Sequence, residues 1–455
     1  MAPVDVAWLR MEHPTNLMMV TALLQFEGSL DLEQLNHLID DRLLRLRRFR
    51  ERVIEAGTIR KRLCWQTDPH FELTSHVRRI ALPQPSDYEA LREQVSQLMS
   101  TPLDPTKPLW QIHLIEGYRG GCAMLVRIHH CIGDGMALMQ VLLRLADEYS
   151  SRSAEPEGGA GRRGLLGMTG ARLRQELDWL VHPAWLVELA RDGAGGALAA
   201  ARLLLRASDP RTCLKGQLGV SKEVAWSESL ALSEIKMVGQ ATGSTVNDVL
   251  LAALSGALGR YLKERGDVVS ELDIHAAVPV NLRRADDILT LGNRFGLVFV
   301  PLPMGMSDPL DRLFTVRRRM QRLKESPEAG IVLRILGTVG RASAQSQRRL
   351  VELVAGKTSA VITNVPGPSD TLSLGGVPVR SMMFWVPMSG RVAVGISIFS
   401  YAGRVRLGIA SDAGLMPDPE TVANAFQEEF AALLELARRP LTDASSLPVE
   451  PVPLA

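Results

Sequence analysis

The densest chemistry in the sequence lies in seven residues, His129-His130-Cys131-Ile132-Gly133-Asp134-Gly135. A neutral imidazole can take a proton from an alcohol or an amine at neutral pH. Adjacent side chains on a strand point to opposite faces, so one histidine at most faces a given cleft unless the strand ends there. Gly133 and Gly135 allow a tight turn with positive φ, which would hold a histidine at a sheet edge. Asp134 stands too near the histidines in sequence to be taken as a triad partner. A short acid between two glycines more often fixes a loop through an ion pair. Cys131 is a tempting nucleophile, but on an extended strand it points away from His130.

A base at such a turn needs a rigid frame, and the flanking pattern supplies one. Residues 122–129 read as a buried strand and 110–116 as its neighbour, with a helix at about 136–149. Upstream, 21–27 reads as a strand, Gly28-Ser29 as a turn and Asp31 as a helix cap. Leu32, Leu35, Leu38, Ile39, Leu46, Phe49 and Val53 then recur mostly at three- and four-residue spacing, as one helical stripe would. Its far end is basic, with Arg42, Arg45, Arg47, Arg48, Arg50 and Arg52. These arginines are either a solvated helix end or a patch facing phosphate or lipid. A further helix is expected at 87–100.

Residues 151–164 are rich in Gly, Ser and charge and read as a linker. Two amphipathic helical patches follow, at 171–190 and 196–207, suited to burial between domains or to an interface with lipid. From about 216 a second α/β pattern begins. Helices are expected at 233–241, 245–264, 308–324, 331–355 and 418–438. Strands are expected at 273–280, 295–302, 359–364, 378–386, 392–399 and 404–410. The domains expected are therefore 1–150, a 151–215 linker with its helices, and 216–455, in an α/β fold with mixed sheets.

Composition narrows the class. The chain has 455 residues, 46% hydrophobic and 22% charged, with a net charge of +2. That is enough chain for a large core, and it excludes disordered, collagenous and disulfide-stapled proteins. The near balance of 52 basic and 50 acidic residues gives no field that would argue for nucleic acid. The cysteines form no C-x-x-C pair, which fits free thiols in a reducing cytosol. No apolar run reaches the roughly 18 residues that a membrane span needs. No secretory leader pattern opens the chain. The expected location is the cytoplasm, with room for peripheral contact with a membrane or lipid droplet.

The motif His129 to Gly135 resembles the HHxxxDG motif of the CoA-dependent acyltransferase superfamily. That group includes chloramphenicol acetyltransferase, carnitine acyltransferases and the condensation domains of peptide synthetases. Four further features resemble one branch, the wax ester synthase/acyl-CoA:diacylglycerol acyltransferase family. They are Pro108-Leu109-Trp110, Asn247-Asp248 opening a buried helix, Pro279-Val280-Asn281-Leu282-Arg283 with Gly292-Asn293, and Asn364-Val365-Pro366-Gly367-Pro368. The resemblance runs from about residue 3 to about 438. The sequence departs from the family at Met18-Met19-Val20, where Met-His-Val is usual, and at Lys215 and Lys222, where paired arginines are usual.

The resemblance implies two chloramphenicol-acetyltransferase-like halves with a tunnel between them and His130 at its middle. It implies direct transfer of a fatty acyl group from acyl-CoA to a diacylglycerol or a long-chain alcohol. His130 would act as base, with His129 and Asp134 beside it and no cofactor beyond the acyl-CoA co-substrate. No G-x-S-x-G elbow is present to supply an acyl-enzyme. Asn247 is the candidate oxyanion donor, unless it and Asp248 only cap their helix. A buried Asp134 calls for a cation, and Arg283, with Arg284 as the fallback, stands where relatives place an arginine. Pro108, Leu109, Trp110, Asn364 and Pro366 are the candidate tunnel residues. Two rivals remain: a carrier-protein-dependent condensation or acyltransferase enzyme, and a non-catalytic lipid-binding member of the fold.

Overall fold

Two hydrophobic patterns, alternation along strands and three-to-four spacing along helices, build two layered halves. The computed structural model describes residues 1–57, 62–150, 207–281, 291–293, 295–324, 355–388 and 390–439. The first sheet contains β1 (Met19–Phe26), β4 (Val77–Ala81), β5 (Trp110–Glu116), β6 (Cys122–His129), β12 (Ser373–Leu374) and β13 (Val377–Trp385). Their order is β12-β13-β1-β6-β5-β4, antiparallel except for β4 against β5. A separate hairpin joins β2 (Glu51–Ala56) to β3 (Arg62–Thr67). The second sheet contains β7 (Lys222–Trp226), β8 (Leu230–Ala231), β9 (Asp273–Asn281), β10 (Phe295–Pro303), β11 (Ala360–Pro366), β14 (Val394–Tyr401) and β15 (Arg404–Asp412). Its order is β10-β9-β11-β14-β15-β7, with β8 on β15 and with β11 parallel to both neighbours. Mixed sheets and an α/β fold are thus what the sequence pattern predicted.

Eight helices carry the argument: α1 (Pro3–Met11), α2 (Leu32–Leu38), α3 (Tyr88–Met99), α4 (Gly135–Leu145), α5 (Leu232–Thr242), α6 (Val246–Glu264), α7 (Pro309–Lys324) and α8 (Pro419–Arg438). Strand alternation splits the first sheet into two faces. Ala22, Leu24, Val126, Ile128, Met382 and Phe384 join the core with α2 and α4. Leu23, Leu125, Met383 and Trp385 face the other way, where α3 and β7 pack. There Trp385 meets Trp226 edge-on at 5.8 Å, tying the two sheets together. In the second half α6 is apolar nearly all round and accordingly buried.

One expected element changes form. The stripe from Leu32 to Val53 is not a single helix: α2 stops at Leu38, loosens through Ile39–Leu43, and the chain enters β2 at Glu51. Val53-Ile54 is β-branched, and strand pairing with Trp65 and Cys64 wins over the helical spacing. The basic cluster there is largely matched by acids. Arg42 meets Asp147 at 2.9 Å, Arg50 meets Asp40 at 3.2 Å, Arg47 and Arg48 share Glu51, and Arg45 pairs with Asp41. Residues 151–206, which hold the expected linker and nearly all of the amphipathic patches, lie outside the described residues, as does most of 331–355. Among the described residues no helix is long and apolar enough to cross a membrane.

Candidate active site

The HHxxxDG segment begins where β6 runs out. Pairing of β1 with β6 ends at Met19 opposite His129. The His130 N–H then donates to the Met18 carbonyl at 2.7 Å, and the Ile132 N–H donates to the His129 carbonyl at 3.0 Å. Both histidines are buried, yet they meet different neighbours. His129 has both nitrogens engaged. Its Nδ1 accepts the Cys131 N–H at 3.0 Å, and its Nε2 lies 2.7 Å from Glu12 Oε2. Burial raises the pKa of Glu12, but the hydrogen bond and charge of His129 outweigh it and hold the carboxyl below the usual range. Cys131 is fully buried, and burial pushes its thiol well above the usual range, which removes it as a thiolate nucleophile.

His130 is held differently. Its Nδ1 lies 2.8 Å from Asn293 Oδ1. Asn293 Nδ2 donates to the His130 carbonyl at 2.8 Å and to Asp5 Oδ1 at 2.9 Å. Trp8 stacks on the imidazole at 4.0 Å and 15°, and Phe295 tilts against it at 5.7 Å. Nε2 takes no hydrogen-bond partner among the described residues. Burial pushes the imidazole well below its ordinary value, and the nearby Asp134 carboxylate opposes this only in part.

The turn corrects one expectation. Neither Gly133 nor Gly135 has a positive φ; Gly292, at +110°, does. Gly133 is needed for close approach instead. Its backbone bridges to Gly292, and an added Cβ would sit 3.0 Å from that of Ala137. The Asp134 N–H donates to the Gly292 carbonyl at 3.3 Å, and Asp134 Oδ1 caps α4 by accepting the Ala137 N–H at 3.0 Å. Arg283 and Arg284 lie outside the described residues, and the expected ion pair with Asp134 lies outside them too.

Asn247 lies in the first turn of α6, but the capping is done by its neighbours. Thr245 and Asp248 form a reciprocal capping box. Asn247 Oδ1 instead accepts from Asn364 Nδ2 at 3.0 Å, which leaves the Asn247 amide N–H₂ turned away from that contact. Strand register places this pair relative to His130. Val280 on β9 is opposite Gly296 on β10, and β11 runs parallel to β9 from Val361 beside Ala277. Counting along the strands brings Asn364 level with Val280 and hence with Gly296, two strands away, or roughly 10 Å. Phe295 at the start of β10 and Asn364 near the end of β11 therefore lie toward the same end of the second sheet, where His130 meets Asn293 and Phe295 and Asn247 meets Asn364.

The remaining candidates divide. Pro108, Leu109 and Trp110 lie in the first core. Trp110 stacks on His76 and donates to the Phe49 carbonyl, while the Leu109 carbonyl accepts the His129 N–H at 2.9 Å. That position braces β6 from within the core. Pro366 ends β11, and a Cβ on the following Gly367 would come within 2.4 Å of the Phe399 ring. Phe399 closes an apolar pocket beside Gly135, between the first sheet and α4, lined also by Ile128, Leu138, Met382 and Phe384. Lys222 is buried against Asp412 at 2.7 Å, and Lys215 donates to the Gly356 carbonyl, so both lysines have structural partners. Among the described residues no group of three or more His, Cys, Asp or Glu side chains converges as metal ligands would.

Residues 1–250 match the wax ester synthase/diacylglycerol acyltransferase catalytic domain. Residues 291–434 match the C-terminal domain of the same family. The chain belongs to this family. In this wax ester synthase/diacylglycerol acyltransferase family member the candidate site draws on both matched segments: His130 and Asn247 lie in the first, Asn293 and Asn364 in the second. A probable diacylglycerol O-acyltransferase of Mycobacterium tuberculosis is 28% identical over 388 residues, covering 82% of each chain. A second, putative one from the same organism is 27% identical over 465 residues, covering 97% of this chain and 92% of the relative. Among solved structures, the wax ester synthase/diacylglycerol acyltransferase of Marinobacter aquaeolei superposes with a TM-score of 0.68 at 24% identity, covering 96% of this chain and 98% of that one. The first condensation domain of the CDA synthetase gives 0.59 at 17%, covering 95% and 94%. At these identities the structural likeness speaks for the fold: two halves of the kind the HHxxxDG motif implied.

Asp5, Trp8 and Glu12 were absent from the sequence-based site. They recur at three- and four-residue spacing on and just beyond α1, so they share a face, and that face meets the histidine pair.

Proposed function

We propose that this acyltransferase moves a fatty acyl group from acyl-CoA directly to the hydroxyl of a long-chain alcohol or a diacylglycerol, with His130 as general base. The observation that carries the reading is the state of His130: one nitrogen bound, the other without a partner among the described residues, the ring fixed between aromatic neighbours. The hydroxyl proton passes to Nε2 while the oxygen forms its bond to the thioester carbonyl carbon. The C–S bond then breaks, and the thiolate of CoA takes the proton from Nε2. The tetrahedral oxyanion needs a donor in between, and the amide of Asn247, oriented by Asn364, suits that role.

The apolar pocket beside Gly135 suits the acyl tail, since each CH₂ withdrawn from water contributes about 0.8 kcal/mol. The two substrates would approach His130 from opposite mouths of a passage between the halves. The acceptor is poorly soluble in water and the acyl tail of acyl-CoA partitions into lipid, so we place the enzyme in reversible contact with a lipid surface. Because the Arg42–Arg52 cations are largely matched by acids, that contact should be mainly apolar. Flotation with anionic and with neutral vesicles checks this: retention of binding at high salt is expected, and loss at high salt would return the arginines to the role of a lipid-facing patch.

The direct test is to incubate the pure enzyme with palmitoyl-CoA and to compare hexadecanol with dioleoylglycerol as acceptor. Ester should form from free acyl-CoA without a carrier protein, and His130→Ala should abolish it. Unchanged synthesis by a folded His130→Ala enzyme would end the base assignment.

A further inference from the structure

Nothing in the HHxxxDG pattern says which nitrogen of His130 carries the proton, and general-base action through Nε2 requires it on Nδ1. We propose that Asn293, held by Asp5 of helix α1, is a positioning residue that sets this tautomer; the proposal rests on the assignment of His130 as base. The amide of Asn293 has an acceptor end and a donor end, and its surroundings decide which is which. One end touches two groups, the His130 backbone carbonyl at 2.8 Å and Asp5 Oδ1 at 2.9 Å. A carbonyl oxygen can only accept, so that end must be the NH₂. The other end, 2.8 Å from His130 Nδ1, is then the carbonyl oxygen, and it accepts from Nδ1–H. A neutral imidazole protonated at Nδ1 has its lone pair at Nε2, the nitrogen left without a partner among the described residues.

Turning the amide over would set its oxygen against the His130 carbonyl and the Asp5 carboxyl. This exchanges two attractive contacts for two repulsive ones in a buried site. Asp5 thus acts at one remove, because it locks Asn293, and Asn293 locks the imidazole. Once Nε2 has taken the substrate proton, the same carbonyl oxygen still accepts Nδ1–H of the imidazolium, so no partner must move during the step. Trp8, stacked on the ring three residues after Asp5, fixes the plane in which Nε2 points. Asp5 and Trp8 make α1 a support of the catalytic base, joined to it through Asn293 and by direct stacking.

The tautomer can be read directly. In the full-length enzyme labelled with ¹⁵N-histidine, the resonances of His130, identified by their loss in His130→Gln, should show a pyrrole-like Nδ1 and an imine-like Nε2. A pyrrole-like Nε2 in the unaltered enzyme would overturn the proposal without recourse to any variant. Asn293→Ala should release the preference and lower kcat by roughly 10- to 100-fold, within the range that base catalysis supplies, with KM for acyl-CoA changed less than about three-fold. Asp5→Asn keeps an acceptor for the Asn293 amide and should be milder than Asp5→Ala. If both Asn293→Ala and Asp5→Ala stay folded, keep the Nδ1–H tautomer and lose less than about three-fold in kcat, the positioning role is wrong even if His130→Ala is inactive. Retained activity in His130→Ala would instead overturn the assignment of the base itself.

Discussion

His129 and His130 are adjacent in the chain, buried alike and opposite in chemistry. His129 has a backbone N–H on one nitrogen and the Glu12 carboxylate on the other. His130 has one nitrogen held by a neutral amide and the other without a partner among the described residues. Burial beside a neutral amide and two aromatic rings favours a neutral imidazole at His130. The pair therefore divides the labour: one histidine ties the end of β6 to the end of α1, and the other is kept uncharged and available. Residue type alone would not separate them; their partners do.

The sharpest way to break this comparison is to remove each imidazole in turn. His130→Ala should lower kcat by about 10²- to 10⁴-fold with the thermal transition nearly unchanged, whereas His129→Ala should mainly lower the transition. Equal and complete loss of activity in two folded variants would contradict the division. The lowered pKa of His130 adds a pH signature. The base stays neutral as pH falls through the ordinary imidazole value of 6.5, so the acid limb of kcat/KM should lie below that value. A limb at or above it would mean that burial does not hold the ring neutral.

Next in size, Asn247→Ala should cost about 10²-fold in kcat if its amide meets the oxyanion. Asn364→Ala should cost less, because it frees the Asn247 amide to rotate without deleting it. Changes in KM alone would reassign both to substrate binding. Smaller again, Glu12→Gln should destabilise the fold by about 1–3 kcal/mol, as expected for a charge-assisted contact. Glu12 has its folded pKa below the usual 4.5. Its contribution is therefore complete above that value and is lost as pH falls through the folded pKa. The gap between Glu12→Gln and the parent in denaturant titrations should accordingly close in acid. The smallest effect concerns the apolar pocket: Leu138→Phe should shift preference toward shorter acyl-CoA chains by several-fold, since each CH₂ refused a dry site forfeits about 0.8 kcal/mol. An unchanged chain-length profile would place the acyl tail elsewhere.

Much of this was legible in the residues. The strands around the motif, the helix after it and most of the second half have strong periodicity, and α6 begins at the capping box that Thr245 and Asp248 provide. The stripe from Leu32 to Val53 misled because three- and four-residue spacing can be met by a short helix, a loose turn and a strand in series. The support of the base was harder to see. Asp5 lies on the short helix α1 and Glu12 just beyond it. Their burial depends on partners far along the chain, 288 residues away for Asp5 and 117 for Glu12. Asn293 could be noted as part of a Gly-Asn pair, but its contact with His130 is tertiary, and no local pattern encodes it. The same holds for β13, whose existence was readable but whose place in the first sheet was not.

That place has a consequence for how the chain is made. β1 is a central strand, flanked by β6 on one side and β13 on the other. During synthesis β6 follows β1 within about a hundred residues, but β13 ends only at Trp385. Until then the nascent first half carries an open edge of β-branched and apolar residues, the situation in which unpaired strands recruit one another between chains. Closing that edge joins residues more than 350 positions apart, Ser381 beside Gln25 among them. Such distant closure is entropically costly and slow. The first sheet thus keeps an open edge on the ribosome between the emergence of the HHxxxDG motif and the arrival of the strand that covers β1.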